Sequence, residues 1–485
     1  MKGYVSVKEM RALEANSDYF GVSYGELMEN AGRKAAETII SRFRRCTVLV
    51  VCGTGNNGGD GFVIARYLAT AGFMTFVRLL GRSSDVKKGP ASANLERLRA
   101  IGIEVREAPS PETLSKHVFE GSDIIVDAML GTGVKGELRE PYRTAIDLIN
   151  KTLAVKVSID IPGGLDPDTG LCSRCVNADL VLTLHAPKVG LDRFNVETID
   201  IGIPDKATQF VGPGDLQNIR TRGDYTHKGE SGRVLVVGGG PYTGAPALTA
   251  LAALRAGADI VTVAAPGRAA EIIATFSPDL IVKPTTHRDV IAEADADLLA
   301  PLIEKSDVVI IGMGLGDAPE TTAAASRIID MAKNTVIDAD ALRPGVPLKG
   351  IITPHRGEFR RISGVDLPDD QEHAIEAVKN FSSSANVVTL LKGRVDIISD
   401  GDTVRLNSTG NAGMTVGGTG DVLAGIAGAM LCRNRPLDAA CVAAFLNGAA
   451  GDMVLEDKGY GMLATDVINM IPYAVKKYRR SPDTR

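Results

Sequence analysis

The sequence predicts an α/β protein of two domains, each a mainly parallel sheet between layers of helices. Three observations carry this. The chain has 485 residues, and domains run to about 150 residues. Short apolar runs rich in Val and Ile alternate with helical stretches, the pattern of strands buried on both faces. Between Pro204 and Asp224 the alternation stops in a stretch rich in Pro, Gly and polar residues, which marks a boundary. The expected domains are 1–213 and 214–485.

The first 40 residues read as two helices. Ser6 with Glu9 and Ser23 with Glu26 have capping-box spacing. Leu27, Ala31, Ala35 and Ile39 then repeat every fourth residue along one face. Strands are expected at TVLVVCG (47–53), FMTFVRLLG (73–81), SDIIVDAML (122–130), VKVSIDIP (155–162) and ADLVLTLHA (178–186), with a helix over 61–71. The second series is RVLVVGGG (233–240), ADIVTVAAP (258–266), DVVIIGMG (307–314), NTVIDADAL (334–342), GIITPH (350–355), NVVTLLKG (386–393) and DIISD (396–400). A long helical stretch follows from about Val422. The halves share no motif and are expected to differ in fold.

Composition excludes several classes. Apolar residues make up 44% and charged residues 23%, ordinary for a globular protein and wrong for disorder or coiled coil. The net charge is −5 with aromatics at 5% and no Trp. Neither a basic field nor a stacking platform for nucleic acid is present. No signal or membrane segment is read, so the expectation is a cytoplasmic protein acting on small molecules, as a homo-oligomer. Cys172 and Cys175 form a CxxC without a second pair at zinc spacing, and the pair reads as inert.

Chemistry concentrates at strand ends. TVLVVCGTGNNGGDG is a strand, a loop and a helix start, with Gly53, Gly55 and Gly58 in GxGxxG register. The dinucleotide fingerprint also needs an acidic residue about 20 positions on. Arg78 and Arg82 stand there instead, so hydride transfer is disfavoured. Backbone N–H groups packed at a helix start suit a phosphate, and Asn56, Asn57 and Asp60 add polar side chains. Asp127, before Gly131-Thr132-Gly133, and Asp160, before Pro162-Gly163-Gly164, end two more strands. Ligands bind at carboxyl ends of parallel strands, so the three ends are expected to share one crevice. Asn57 and Asp127 are hard oxygen donors suited to a cation.

GNNGGDG, DAMLGTG and SIDIPGGLDPDTG together resemble the NAD(P)H-hydrate epimerase family, over about residues 1–210, with a Rossmann-like fold. The resemblance implies hydrate contacts from Asn56, Asn57, Gly58, Gly59 and Asp60, and from Gly131, Thr132, Gly133, Val134, Lys135, Gly136 and Glu137. Asp160 would meet the reacting end of the substrate as a catalytic residue. Asn57, Asp127 and Gly163 would ligate potassium. The family usually carries Ser where this chain has Gly163, which offers only its backbone carbonyl.

No GxxxxGK[ST] occurs, which excludes a P-loop kinase. NSTGNAGMTVGGTGDVLAG (407–425) instead ends in Gly417-Gly418-Thr419-Gly420-Asp421 before an apolar helix. Glycines there aim N–H groups at a transferring phosphoryl group, and Asp421 can take a proton from an attacking hydroxyl. Lys392-Gly393, His355, Asp338 and Asp340 lie near other strand ends. HKGxxGxVLVVGGG, TPHRGEF and GNAGMTVGGTGDVLAG resemble the ADP/ATP-dependent NAD(P)H-hydrate dehydratases of the ribokinase superfamily, over about 224–485. The resemblance implies hydrate binding by Ala245, Gly316, His355 and Asp421. It implies nucleotide binding by Lys392, Gly393, Arg394, Val395, Asp396 and Gly420, with Mg²⁺ on the phosphates. Both halves in one chain resemble the bifunctional enzymes that repair hydrated NADH and NADPH. They epimerise the R and S hydrates and dehydrate the S form with ADP or ATP. The alternative expectation is a small-molecule or vitamin kinase with an N-terminal nucleotide-binding regulatory domain.

Overall fold

A computed structural model describes residues 4–133, 137–220, 227 and 229–479. The chain divides into two compact units, Met1–Thr208 and Gln209–Arg485. Val211 N–H bonds the Leu406 carbonyl and Arg405 pairs with Asp215, which ties the segment after Gln209 to the second unit.

Among the described residues the N-terminal unit has seven parallel strands: β1 (Thr47–Cys52), β2 (Met74–Leu79), β3 (Val105–Glu107), β4 (Ile124–Ala128), β5 (Val155–Ile159), β6 (Leu180–Leu184) and β7 (Val196–Ile199). Their order is β3-β2-β1-β4-β5-β6-β7. The order reverses between β1 and β4, where a crevice opens at the strand ends. Alternate residues of β1 feed opposite layers. Val48 and Val50 pack with Ala31, Ala35, Ile39 and Phe62, while Leu49 and Val51 pack with Ala145, Ile146 and Ile149. The two opening helices are Val7–Tyr19 and Tyr24–Arg42, both started by the expected capping boxes.

Among the described residues the C-terminal unit has nine strands: β8 (Arg233–Val237), β9 (Ile260–Ala265), β10 (Ile281–Pro284), β11 (Val308–Ile311), β12 (Thr335–Ile337), β13 (Ile351–Ile352), β14 (Val388–Leu391), β15 (Asp396–Ser399) and β16 (Val404–Asn407). Their order is β10-β9-β8-β11-β12-β13-β14-β15-β16. β14, β15 and β16 pair antiparallel, the exception in a mainly parallel sheet, because tight turns leave no length for a crossover helix. The closing helical stretch is three helices, Thr419–Leu431, Pro436–Lys458 and Ala464–Tyr478. Among the described residues one helix, Pro436–Gly461, is long and apolar enough to cross a membrane, and 78% of its apolar window is buried inside the protein. Strands β3, β7, β10 and β16 escaped the sequence reading. They are edge or near-edge strands of three or four residues, too short to set up a visible pattern. The two-domain α/β architecture is the one expected.

Candidate active sites

At the N-terminal crevice the helix begins at Asn56, not near Gly61 as expected, so NNGGDG forms its first turns. Glycine there is a packing requirement. A Cβ on Gly58 would overlap the Gly53 carbonyl, and one on Gly53 would overlap the Met129 carbonyl that follows β4. Neither backbone can retreat from its strand. Gly58→Ala is therefore expected to destabilise the N-terminal unit by about 1–3 kcal/mol, the usual cost of overpacking. Hydrogen exchange across residues 47–70 measures it; wild-type protection would contradict this packing.

Asp127 is fully buried at the end of β4. Its carboxylate accepts from Ser158 Oγ at 2.8 Å, Gly163 N at 2.7 Å and Met129 N at 3.2 Å. Burial still raises its pKa to about 6, against those three bonds. Asn57 Nδ2 donates to the Ile159 carbonyl at 3.3 Å, while its buried Oδ1 has no partner among the described residues. A Cβ on Gly131 would lie 3.2 Å from Asn57 Cβ, and one on Gly163 would lie 3.0 Å from Asp127 Oδ1. The ends of β1, β4 and β5 thus meet as expected. An unsatisfied amide oxygen and a buried carboxylate bonded only by neutral donors fit a bound cation.

Asp160, just past β5, has φ 65°. Its Oδ1 lies 2.5 Å from Nζ of Lys188, whose side chain is 0% exposed. Lys188 also reaches Thr183 Oγ1 at 3.2 Å and the Leu184 carbonyl at 2.9 Å. Burial, and then the Asp160 charge, raise Glu14 to about 7 and push Asp60 well above the usual carboxylate range. One buried ammonium thus pairs with Asp160 beside Glu14, whose carboxyl is held near 7, a setting for moving protons at pH 7. Lys188 and Glu14 were missed from sequence. Lys188 lies in a loop without a motif, and Glu14 arrives on the first helix, which Val5 N–H ties to the Pro187 carbonyl. Gly59, Thr132, Gly133 and Glu137 lie within the described residues; Val134, Lys135 and Gly136 lie outside them.

In the C-terminal unit Lys392 is central. Its Nζ lies 2.8 Å from Asp338 Oδ1 and 3.7 Å from Glu358 Oε2. Burial pulls its pKa down, but Asp338 and Glu358 outweigh that and hold the ammonium above its ordinary value. A Cβ on Gly420 would sit 3.5 Å from Lys392 Nζ, so the N-terminus of helix Thr419–Leu431 caps this pair. Asp421 lies in that first turn. Burial, then Asp338 and Asp340, raise it to about 7, with Lys392 pulling the other way. Ala245 is joined to it through Thr249, whose Oγ1 lies 3.1 Å from both the Ala245 and Asp421 carbonyls. Gly316 N–H donates to Asp340 Oδ2 at 2.8 Å.

His355 caps helix Arg356–Ser363: its Nδ1 accepts from the Gly357 and Glu358 N–H groups at 3.0 and 3.2 Å. That leaves Nε2 for a ligand, beside Glu358 Oε1 at 3.4 Å. Residues Lys392 to Asp396 make the β14–β15 turn. Asp396 closes it, accepting from Gly393 N–H and from Asn407 Nδ2, both at 2.9 Å. Val395 packs beside Phe359 and Leu391, and Arg394 is exposed. The turn therefore offers backbone, Lys392 and Arg394 to a ligand. Four non-glycine residues among those described have positive φ, and three follow strands at these sites: Asp160, His185 and Ala339. Such strain costs about 1–3 kcal/mol per residue and collects at functional sites.

Residues 24–190 match the family described as YjeF-related protein N-terminus, and residues 234–473 match NAD(P)H-hydrate dehydratase. The bifunctional NAD(P)H-hydrate repair enzyme of Archaeoglobus fulgidus is 46% identical over 479 residues, covering 97% of this chain and 98% of that one. The enzyme of the same description from Methanothermobacter thermautotrophicus is 43% identical, covering 96% of this chain and 94% of its own. Among solved structures, the ADP/ATP-dependent NAD(P)H-hydrate dehydratase of Bacillus subtilis, co-crystallised with ATP/Mg²⁺, is 26% identical. It covers 56% of this chain and 98% of its own, with a TM-score of 0.49. With two sites on two units and similarity running the whole length of such relatives, the chain belongs to the family of bifunctional NAD(P)H-hydrate repair enzymes.

Proposed function

We propose that the N-terminal unit interconverts the R and S hydrates of NADH and NADPH, and that the C-terminal unit dehydrates the S form with ADP or ATP. The carrying observation is Asp421, a carboxylate raised to about 7 at a glycine-rich helix start beside Lys392. Hydroxide is a poor leaving group. Asp421 takes the proton of the C6 hydroxyl as that oxygen attacks the terminal phosphorus, and the first-turn N–H groups face the transferring phosphoryl. Phosphate then leaves, pushed by the ring nitrogen lone pair, and the resulting iminium loses a proton from C5 to solvent, which restores the dihydropyridine. Ala245, Gly316 and His355 bind the hydrate; Lys392 to Asp396 and Gly420 bind the nucleotide. Mg²⁺ brought on the phosphates supplies charge neutralisation.

In the N-terminal unit Asn56 to Asp60 and Gly131 to Glu137 hold the dinucleotide. Asp160, positioned by Lys188, handles the proton as the C6 oxygen leaves and returns or as the ring opens. Asn57 Oδ1, Asp127 and the Gly163 carbonyl would hold potassium, which would supply the positive counter-charge for the buried carboxylate. The six free cysteines and a reduced nicotinamide substrate support a cytoplasmic setting.

Mixed R and S hydrate, incubated with the protein, Mg²⁺ and ADP or ATP, is expected to regain the full absorbance of the reduced nicotinamide. A stable phosphorylated product without restored absorbance would favour the vitamin-kinase alternative instead. The cation has its own test. Asp127 titrates near 6, above its unfolded value. Below that pH it is neutral and a poor ligand; above it the buried charge costs stability unless a cation offsets it. Potassium in place of tetramethylammonium is therefore expected to raise the melting midpoint at pH 8 and leave it unchanged at pH 5. An equal rise at both would reject Asp127 as a ligand.

A further inference from the structure

We propose that Cys172 and Cys175 are a redox-reversible dithiol whose disulfide staples the loop behind the N-terminal site. The two sulfurs lie 2.7 Å apart. Among the described residues no other two cysteine sulfurs meet; Cys52 and Cys441 are buried singly. Arg193 Nη2 lies 3.1 Å from Cys172 Sγ and 3.7 Å from Cys175 Sγ. That guanidinium repels a metal cation but favours negative charge on sulfur during exchange. No cluster of three metal-ligating side chains occurs among the described residues. Cys172, the sulfur nearer the Arg193 guanidinium, is the one to attack first. Leu171 is 73% exposed and Ser173 is also exposed, so a small disulfide reaches the pair from solvent.

The loop connects to the site by short steps. Val176 N–H donates to the Gly163 carbonyl at 3.0 Å, and Gly163 N–H donates to Asp127 Oδ2 at 2.7 Å. Gly164 packs so closely on the Arg174 carbonyl that a Cβ would overlap it. A covalent ring over 172–175 therefore holds the segment that orients Gly163.

The chemistry balances with a low-molecular-weight disulfide as oxidant. Cys172 thiolate attacks one sulfur of RSSR, forms the mixed disulfide and releases one thiolate. Cys175 gives its proton to solvent and attacks Cys172 sulfur, which closes the ring and releases the second thiolate. Both thiolates take up protons, so one dithiol and one RSSR become one ring disulfide and two RSH.

The test uses the full chain equilibrated across a series of oxidised and reduced glutathione, then alkylated after unfolding, digested and weighed. The peptide carrying Cys172 and Cys175 is expected to lose two hydrogens and resist alkylation, reversibly with dithiothreitol. Cys46, Cys52, Cys432 and Cys441 should remain alkylable. Cys175→Ser should stop at a glutathione adduct on Cys172. Arg193→Ala should slow ring closure about tenfold, with Arg193→Lys restoring most of the rate. Hydrogen exchange over residues 163–176 should slow in the oxidised form. Glutathione adducts on both cysteines without ring closure, or a pair still reduced across the whole series, would overturn the proposal.

Discussion

Asp421→Asn is expected to lower nucleotide-dependent dehydration by about 10²–10⁴-fold, the range for losing a positioned general base. The change keeps size and shape but removes the proton acceptor. Epimerisation should survive, because the N-terminal site shares no residue with this one. The wild-type pH profile gives a second check. Asp421 must be ionised to act as a base, and burial with Asp338 and Asp340 holds it near 7. Dehydration should therefore fall about tenfold per unit below that pH and level off above it. Lys392 is the cation that holds Asp421 down, so Lys392→Met should move the rising limb to higher pH. A variant that loses both activities while still folded, or a wild-type profile flat from pH 5 to 8, would remove Asp421 from this role.

Breaking the Asp160–Lys188 pair has the larger effect on stability. Lys188 is completely buried and its ammonium lies 2.5 Å from the carboxylate. Removing one partner of a buried ion pair strands the other and costs about 3–5 kcal/mol. Asp160→Asn and Lys188→Met should each destabilise the N-terminal unit to that extent, seen as faster hydrogen exchange in strands β5 and β6. The double variant should recover much of the loss, since no unpaired charge remains. Activity should not recover with it. S hydrate would still be repaired, and R hydrate only as fast as it epimerises unaided. On mixed hydrate all three variants should restore the S portion quickly and then slow sharply. Clearance of both epimers at the normal rate by Asp160→Asn would refute this assignment. Additive losses in the double variant would show that the two side chains do not share one charge-paired site.

Much of this architecture is written locally. Ser6 with Glu9 and Ser23 with Glu26 start helices through contacts three residues apart, which any reading of spacing can find. The runs at β1, β4, β5 and β6 are buried on both faces, so apolar composition alone announces them. Asp127, Asp160 and Asp421 were legible because each breaks an apolar run or a glycine cluster at an element boundary. The family resemblance named their chemistry, which composition could not.

What the sequence determined by itself is this set of elements and the acidic residues placed at their ends. The tertiary structure alone decided which charges meet. Lys188 finds Asp160 across 28 residues and Lys392 finds Asp338 across 54, because sheet order rather than spacing sets adjacent β5 and β6 side by side and β12 and β14 on either side of β13. Glu14 and Thr249 join the sites through helices whose own patterns report only packing. The pKa values that suit Asp421 and Glu14 to neutral pH exist only after folding. They arise from desolvation and from charges brought close in space, and both are properties of the assembled core.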